Sequence, residues 1–284
     1  MTDDPKTLVS TEWLAAHLDV PGLRILDASW HMPAAGRDAL AEYAAAHIPG
    51  ARFFDIDAVA DPDTDLPHML PTPEAFALAA AALGIGDGDQ VVIYDDAATR
   101  SAARVWWTFR AMGHDRVAVL DGGLAKWRAE GRALTDATPA VPDGHLTAHP
   151  RPDLVRDAAE VAEASASGSA QIIDARAADR FRGDMPEPRP GLTSGHMPGA
   201  RNLPFGQLYN PDGTMKDPAA LRAAFDAAGV DLSRPAITSC GSGITAASLS
   251  LALERLGHRN HALYDGSWAE WGALPDVKTA TGDA

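Results

Sequence analysis

Short aliphatic runs alternate along the chain with longer stretches in which apolar residues recur every three or four positions. The runs predict buried strands, and the stretches predict helices that each bury one face. The predicted strands are Leu23–Leu26, Val91–Tyr94, Val117–Leu120, Ile172–Ile173 and Ala236–Thr238, and the clearest predicted helices are Pro73–Leu83, Ser101–Met112, Asp217–Ala228 and Thr245–Leu256. Repeated strand–helix units predict an α/β fold with parallel sheets flanked by helices, in which functional loops follow the carboxyl ends of the strands.

The same pattern is present twice. Matching segments recur in the same order at an offset of 144 to 149 residues: 25–28 with 172–175, 47–52 with 196–201, 113–114 with 257–258, 120–123 with 264–267, and Trp127 with Trp271. This offset is far longer than a solenoid repeat, and each copy is long enough for its own core. The sequence therefore predicts tandem duplicated domains at 6–130 and 153–278, joined by a proline-rich linker at 131–152.

The composition excludes several kinds of partner. A formal net charge of −15 and a pI near 4.9 oppose attraction to nucleic acid and to an anionic membrane surface. The N-terminus is acidic and polar, and no segment has the apolar length that a bilayer requires, so we expect a soluble, cytoplasmic protein. One cysteine allows no internal disulfide, and the scattered histidines form no metal-binding motif, so no metal site is expected.

That single cysteine, Cys240, opens the stretch Ser-Cys-Gly-Ser-Gly-Ile-Thr at 239–245, directly after a predicted strand. A glycine-rich turn between a buried strand and a helix directs backbone N–H groups at one point, which favours an anion there. Such surroundings favour the thiolate over the thiol and predict a nucleophile. The alternative is a small buried apolar residue, which the flanking glycines and Thr245 disfavour. In the first copy Asp95 or Asp96 stands at this position, so only the second copy can perform thiol chemistry.

The duplicated pattern resembles the two-domain rhodanese-like sulfurtransferases over nearly the whole chain. It has His-x-Pro-Gly-Ala in each half and Cys-Gly-Ser-Gly-Ile-Thr-Ala only in the second. The loop is similar to the Cys-Gly-Ser/Thr-Gly-Val-Thr of the 3-mercaptopyruvate sulfurtransferases, with Ile244 in place of valine, whereas thiosulfate sulfurtransferases typically carry Cys-Arg-Lys-Gly-Val-Thr. Neutral Gly241 and Ser242 favour mercaptopyruvate, because thiosulfate is a compact dianion that is best held by cations beside the nucleophile.

The resemblance also implies the residues that bind the donor. Arg180 and Arg189 match, in their nine-residue spacing, the pair that holds the substrate in the mercaptopyruvate family. Arginine suits this task because its planar fork binds a carboxylate in a bidentate manner and stays charged. Arg182 is a weaker candidate, and the alternative is a solvated basic loop. The loop residues expected to bind the transferred sulfur through their N–H groups are Gly241, Ser242, Gly243, Ile244 and Thr245.

A second group implied by the resemblance combines Asp57, His68 and Ser242. The matching residues of the mercaptopyruvate family have been proposed to form a proton relay. A histidine that titrates near neutrality, oriented by a carboxylate, could move a proton at the substrate. The alternative for His68, which follows Pro67, is a hydrogen bond at the surface.

The expected reaction is a double displacement without a cofactor. The Cys240 thiolate takes sulfur from 3-mercaptopyruvate, pyruvate leaves as an enolate, and a thiol acceptor such as thioredoxin removes the sulfur from the persulfide, with cyanide as an assay acceptor. Thiosulfate as donor remains an alternative. A Cys-x5-Arg phosphatase is disfavoured because Ala246 stands where the arginine would be. A non-enzymatic module that binds a partner or senses oxidation through Cys240 is the third alternative.

Overall fold

Two parallel sheets organise residues 3–283, the part of the chain that the computed structural model describes. Within these residues the first sheet has five strands: β1 (Leu8–Val9), β2 (Leu23–Asp27), β3 (Ala51–Phe53), β4 (Gln90–Tyr94) and β5 (Val117–Leu120). The second has β6 (Val155–Arg156), β7 (Gln171–Asp174), β8 (Arg201–Asn202), β9 (Ala236–Ser239) and β10 (His261–Tyr264). The strand orders, β1-β5-β4-β2-β3 and β6-β10-β9-β7-β8, are the same in both copies. The predicted α/β fold with duplicated parallel sheets is confirmed.

Helices follow the strands in each copy. The first copy has α1 (Thr11–His17), α2 (Ala39–Ala45), α3 (Ile56–Val59), α4 (Pro73–Ala82), α5 (Ala102–Ala111) and α6 (Gly123–Ala129). The second has α7 (Ala158–Ser167), α8 (Ala178–Arg182), α9 (Pro218–Ala227), α10 (Ala246–Arg255) and α11 (Ser267–Trp271). Short 3₁₀ turns cover Pro33–Ala35, Pro152–Leu154 and Phe205–Leu208. No helix in the described part of the chain is both long enough and apolar enough to cross a membrane.

The sequence accounts for where the helices begin. The Thr72 side chain accepts a hydrogen bond from Ala75 N at the start of α4, and Asp217 accepts from Ala219 N and Ala220 N at the start of α9. Both helices have proline in the first turn, where no backbone N–H is needed. The four helices predicted from the apolar period are therefore observed with ends that differ by no more than one residue.

Each copy has its own core around its central strands. The first core includes Ile25, Leu120 and Trp127, and the second includes Ile172, Tyr264 and Trp271 in the corresponding places. Burying one large apolar side chain contributes roughly 1.5–3 kcal/mol, so these clusters fix the sheets on which the loops are mounted. The buried central strands β4 and β9 end at the loops that carry the candidate chemistry.

The structure divides into two compact units that are not continuous in sequence. The first unit comprises the described residues up to Asp61, Leu70–Arg151 and Asn210–Met215, and the second comprises Pro62–Met69, Pro152–Tyr209 and the residues from Lys216 onward. Two short segments therefore belong to the unit formed mainly by the other repeat. Neither helix nor strand is assigned between 131 and 151, and Arg52 Nη2 donates to Ala140 O at 3.0 Å, within the first unit.

Candidate active site

Cys240 lies directly after β9, at the carboxyl end of the central strand of the second sheet. It is 2% exposed and is the free thiol of the chain. The loop from Cys240 to Thr245 connects β9 to α10, whose ten residues are almost entirely buried. A rigid strand and a buried helix thus fix both ends of the loop, as expected for a nucleophile that must keep one position.

Ser267 holds this loop from the other side. Its Oγ accepts hydrogen bonds from Cys240 N at 3.2 Å and Gly243 N at 3.1 Å, and donates to Tyr264 O at 2.9 Å. The Gly243 N–H is therefore engaged by Ser267. The remaining loop N–H groups from Gly241 to Thr245 stay the predicted donors to a bound sulfur anion.

The first turn of α11 adds two further bonds to the loop. Trp268 N donates to Cys240 O at 3.0 Å, and Ala269 N donates to Gly241 O at 2.9 Å. The first N–H groups of a helix have no partner within the helix, so the loop carbonyls satisfy them. These bonds turn the carbonyl groups of Cys240 and Gly241 towards α11.

Ser267 adopts a backbone conformation that serine rarely takes. Its φ is +49°, in the left-handed region, and its counterpart in the first copy, Gly123, has φ +58°. A non-glycine residue costs about 1–2 kcal/mol in this region. The first copy fills the same backbone position with glycine, whereas the second accepts the strain and gains a hydroxyl against Cys240.

Asp95 is the counterpart of Cys240 in the first copy. Leu124 N donates to Asp95 O at 3.0 Å, as Trp268 N does to Cys240 O. The Asp95 carboxylate accepts hydrogen bonds from Ala102 N at 2.7 Å and Ala97 N at 3.3 Å. Burial raises the pKa of Asp95 from 3.8 to about 6, against the lowering effect of the bond from Ala102. In the first copy, the Asp95 carboxylate therefore occupies the loop position at which the second copy is predicted to bind an anion.

Arg180 lies against the loop of the second copy. It is in α8, and a Cβ built on Gly241 would lie 3.2 Å from Arg180 Nη2. Arg180 Nη2 donates to Glu187 Oε2, and Nε lies 3.3 Å from Glu187 Oε1. A guanidinium beside the Cys240 loop could bind an anion, but one of its edges already faces a carboxylate.

Glu187 also binds a second arginine. Arg176 Nη1 donates to Glu187 Oε1 at 2.8 Å, Arg176 Nη2 donates to Asp174 Oδ2 at 2.7 Å, and the Arg176 Cζ atom lies 4.2 Å from the centre of the Trp268 ring. Asp174, Arg176, Glu187 and Arg180 therefore form one chain of alternating charges. We call these four residues the charge tetrad. Trp268 is fully buried and belongs to the core of the second unit.

Arg189 lies two residues after Glu187, in the segment without helix or strand that follows α8. It is partly buried. Its assignment to the donor carboxylate stays a prediction. Arg182, the weaker candidate, donates to Asp184 Oδ2 at 2.6 Å, and this ion pair raises the pKa of Arg182.

The predicted relay is distributed over both units. His68 and Ser242 belong to the second unit and are both buried, with His68 at φ +63°. Asp57 belongs to the first unit, is exposed, and accepts a hydrogen bond from Trp30 Nε1 at 2.9 Å. It lines a cavity of about 340 Å³ in that unit, together with Trp30 and Arg37. The relay itself stays a prediction.

Sequence reasoning missed Ser267, Arg176 and Glu187. A signal for Ser267 was present, because it is the position where the two copies differ within an otherwise matching Asp-Gly-Gly and Asp-Gly-Ser. Arg176 follows the strand that carries Asp174, and Glu187 lies between the two arginines that were recognised. Within residues 3–283, no group of three or more His, Cys, Asp or Glu residues is arranged to hold a metal ion.

Comparison with known proteins places these features in a family. The model of the rhodanese-like domain matches the chain twice, at residues 10–130 and 157–274. The chain is 44% identical to the 3-mercaptopyruvate sulfurtransferase of Escherichia coli (strain K12), over 95% of this chain and 96% of the relative. It is also 44% identical to the mitochondrial thiosulfate/3-mercaptopyruvate sulfurtransferase 1 of Arabidopsis thaliana, over 97% of this chain and 78% of the relative.

A solved structure agrees with these matches. The crystal structure of a 3-mercaptopyruvate sulfotransferase from Escherichia coli superposes with a TM-score of 0.84 at 42% sequence identity, over 93% of this chain and 99% of the other. The similarity therefore extends over both repeats and both sheets.

Proposed function

Because the chain belongs to the rhodanese-like family, we propose that it is a sulfurtransferase that moves sulfur from 3-mercaptopyruvate to a thiol through a persulfide on Cys240. The observation that carries the proposal is the single thiol at the end of β9, in a loop held by hydrogen bonds to Ser267 Oγ and to the backbone N–H groups of Trp268 and Ala269 in α11. The other copy has Asp95 at the same place and supplies no nucleophile.

The first half-reaction loads the enzyme. The Cys240 thiolate attacks the sulfur of 3-mercaptopyruvate, an S–S bond forms, and the C–S bond breaks. The electron pair of the C–S bond goes to the carbon and gives the enolate of pyruvate, which takes up a proton at that carbon. Arg180 and Arg189 would hold the carboxylate and the keto oxygen during this step. Loop N–H groups would stabilise the persulfide anion.

The second half-reaction removes the sulfur from the persulfide on Cys240. A thiolate acceptor attacks the outer sulfur of the persulfide, a new S–S bond forms, and Cys240 leaves as the thiolate. A protein thiol such as thioredoxin, or a small thiol, fits this chemistry, and cyanide serves as an assay acceptor. A lone nucleophilic cysteine works best where thiols stay reduced, so we propose the cytoplasm as its location.

We propose that a relay of Ser242, His68 and Asp57 supplies the proton that the enolate requires. Buried His68 lies in the same unit as Ser242. A histidine can hold and release a proton near neutral pH. Replacement His68→Ala should lower the rate of pyruvate release and alter its pH profile; an unchanged rate and profile would remove the relay from the proposal.

Intact mass after donor exposure tests the proposal. The reduced protein is exposed briefly to 3-mercaptopyruvate or to thiosulfate, and pyruvate is assayed in the supernatant. We expect a gain of one sulfur with matching pyruvate from 3-mercaptopyruvate, and no gain in Cys240→Ser. Better loading by thiosulfate would replace the donor in the proposal. No gain from either donor would overturn sulfur transfer and leave a binding or redox-sensing module.

A further inference from the structure

Glu187 places a negative charge beside a site that is proposed to bind an anion. We infer that Glu187 is a positioning residue that sets donor specificity: it holds Arg180 at the Cys240 loop while offsetting one positive charge there, which disfavours a compact dianion relative to a monocarboxylate. The choice between donors rests on the proposed function. The effect of Glu187 on charge at the thiol does not, and it can be measured without any donor.

The Glu187 carboxylate is buried, although it lies on a segment without helix or strand. Its side chain is 2% exposed, and both oxygens contact guanidinium groups, those of Arg176 and Arg180. A buried carboxylate is costly unless it is paired and hydrogen-bonded. The two arginines supply that pairing, so the Glu187 carboxylate is held where it lies.

Arg176 anchors Glu187 from behind. The Arg176 side chain is 1% exposed and is held by Asp174, by Gly195 O at 2.7 Å, and by the face of Trp268. Nothing in this arrangement leaves Arg176 free to move towards a donor. Glu187 is therefore a fixed carboxylate, and Arg180, at 24% exposed, is the member of the charge tetrad that reaches solvent.

Glu187 determines which edge of Arg180 remains for a ligand. It engages the Nε and Nη2 edge. The guanidinium nitrogens Nη2 and Nη1 lie 3.2 and 3.8 Å from a Cβ built on Gly241, so the outer end of the fork faces the loop. A donor carboxylate would meet this outer end, because the side edge is occupied by Glu187.

The charge tetrad sums to zero, with two carboxylates and two guanidinium groups. Arg180 therefore offers directed hydrogen bonds with little excess positive charge. Directed hydrogen bonds suit a donor such as 3-mercaptopyruvate, whose one negative charge lies at a distance from its sulfur. A compact dianion needs excess positive charge at the thiol, and Glu187 removes it.

The direct test is the charge selectivity of Cys240 alkylation in the full chain. Iodoacetate is anionic and iodoacetamide is neutral, so the ratio of their rate constants reports the potential at the thiol. Glu187→Gln leaves Arg180 uncompensated and should raise this ratio about fivefold. The matched control Glu163→Gln removes one negative charge from an exposed position on α7 of the same unit and should leave the ratio unchanged.

Two further variants separate charge from fold. Glu187→Asp keeps the charge on a shorter side chain that loosens the contact with Arg180, so its ratio should lie between those of the parent and of Glu187→Gln. Glu187→Gln in an Arg180→Gln background should raise the ratio by less than in the parent chain, because Arg180, the cation at the loop, is gone and the remaining partner, Arg176, is also paired with Asp174. If Glu187→Gln is not recovered folded, Glu187→Ala replaces it; if neither folds, Glu187→Asp, whose shorter side chain loosens the contact with Arg180, must give an intermediate ratio.

Steady-state kinetics then tests donor choice. For Glu187→Gln we expect kcat/KM for thiosulfate to rise relative to kcat/KM for 3-mercaptopyruvate by about fivefold, mainly through KM for thiosulfate. An equal loss with both donors and an unchanged alkylation ratio would overturn the inference and leave Glu187 a structural residue. A raised alkylation ratio without turnover of either donor would contradict the proposed function alone.

Discussion

At the scale of single residues, Ser267 shows how one hydroxyl can position the proposed nucleophile, Cys240. Its Oγ accepts hydrogen bonds from two loop N–H groups and donates one to Tyr264 O. All three bonds therefore join Ser267 to the loop or to the end of β10. The left-handed φ of +49° indicates that this position is maintained against local strain. Glycine, which the first copy uses, avoids the strain but has no hydroxyl.

Two substitutions of Ser267 should distinguish the effect of backbone strain from the effect of losing its hydrogen bonds. Ser267→Ala keeps the strain and loses the bonds, so we expect a loss of about 1–3 kcal/mol in the free energy of unfolding and a sulfur-transfer rate at least about tenfold lower. Ser267→Gly loses the same bonds but relieves the strain, so it should be about 1 kcal/mol more stable than Ser267→Ala, with an equally low rate. Urea unfolding and single-turnover kinetics measure both quantities. A normal rate in both variants would contradict a positioning role.

The sequence predicted Cys240 but not its supports, for a physical reason. A lone cysteine in a glycine-rich turn after an apolar run is visible in a few consecutive residues. The bonds from Ser267 and the position of Glu187 join residues far apart in sequence or depend on the direction of side chains in an irregular segment. Local pattern carries no information about such contacts, and the difference between Gly123 and Ser267 points to Ser267 alone.

At the scale of elements, the loop between β4 and α5 encloses the carboxylate of one of its own residues, Asp95. Ala102 N and Ala97 N donate to Asp95, and burial keeps the pKa of this carboxyl near 6. Asp27, which lies nearby and is also buried, raises that pKa further, whereas Arg100 lowers it. A serine in place of Gly123 would have its Cβ against Asp95 O. The first copy therefore has no room for a side chain that would hold the loop as Ser267 does in the second copy.

The stability of the first unit should therefore depend on pH through Asp95. Its pKa is higher in the folded protein, about 6, than the ordinary 3.8, so the folded state holds a proton between these values that the unfolded state has released. The contribution is greatest at low pH and is lost as the pH rises through about 6. Relative to Asp95→Asn, the parent should lose up to about 3 kcal/mol between about pH 4 and about pH 7.5.

Urea unfolding of parent and variant across this pH range measures the difference. Any effect of the substitution that does not depend on pH cancels, because only the change with pH is compared. Parallel curves for the two proteins would show that Asp95 ionises normally in the folded state.

The sequence predicted five of the ten strands and four of the eleven α-helices of the described residues, and the lengths of these elements suit the signal. Strands β2, β4, β5, β7 and β9 and the ten-residue helices α4, α5, α9 and α10 have enough residues to display a period, whereas β10 and the equally long α7, which has Val161 as its one large apolar residue, were missed. The edge strands β1, β3, β6 and β8 have only two or three residues each, so no period can appear. Helix α8, which carries Arg180, has five residues, too few to display an apolar period.

At the scale of the whole molecule, the two units exchange short segments of chain. Asn210–Met215 belongs to the first unit, where Met215 N donates to Asp121 Oδ1 at 2.7 Å and the Met215 side chain is buried. Pro62–Met69, which contains His68, belongs to the second. Internal repetition in the sequence predicts two sheets, but it contains no signal for segments that leave their own copy.

A chain of residues 3–151 alone should be less stable than the same unit in the full protein. The buried Asp121 carboxylate would lose its N–H donor and the cover of Met215, which we expect to lower the free energy of unfolding by about 1–3 kcal/mol. Urea unfolding followed by hydrogen exchange at β5 in both chains measures this. Asp121→Ala in the full chain, which removes the acceptor, should destabilise the same unit; equal stability of the short and full chains would contradict the role of the segment.

The charge tetrad has a consequence for how quickly donor and enzyme meet. With its four charges cancelled and a net charge of −15 on the chain, the protein repels an anionic donor at long range. Dissolved salt screens that repulsion over a distance of about 8 Å at physiological ionic strength. We therefore expect the encounter rate to rise with ionic strength, opposite to proteins that steer ligands by charge.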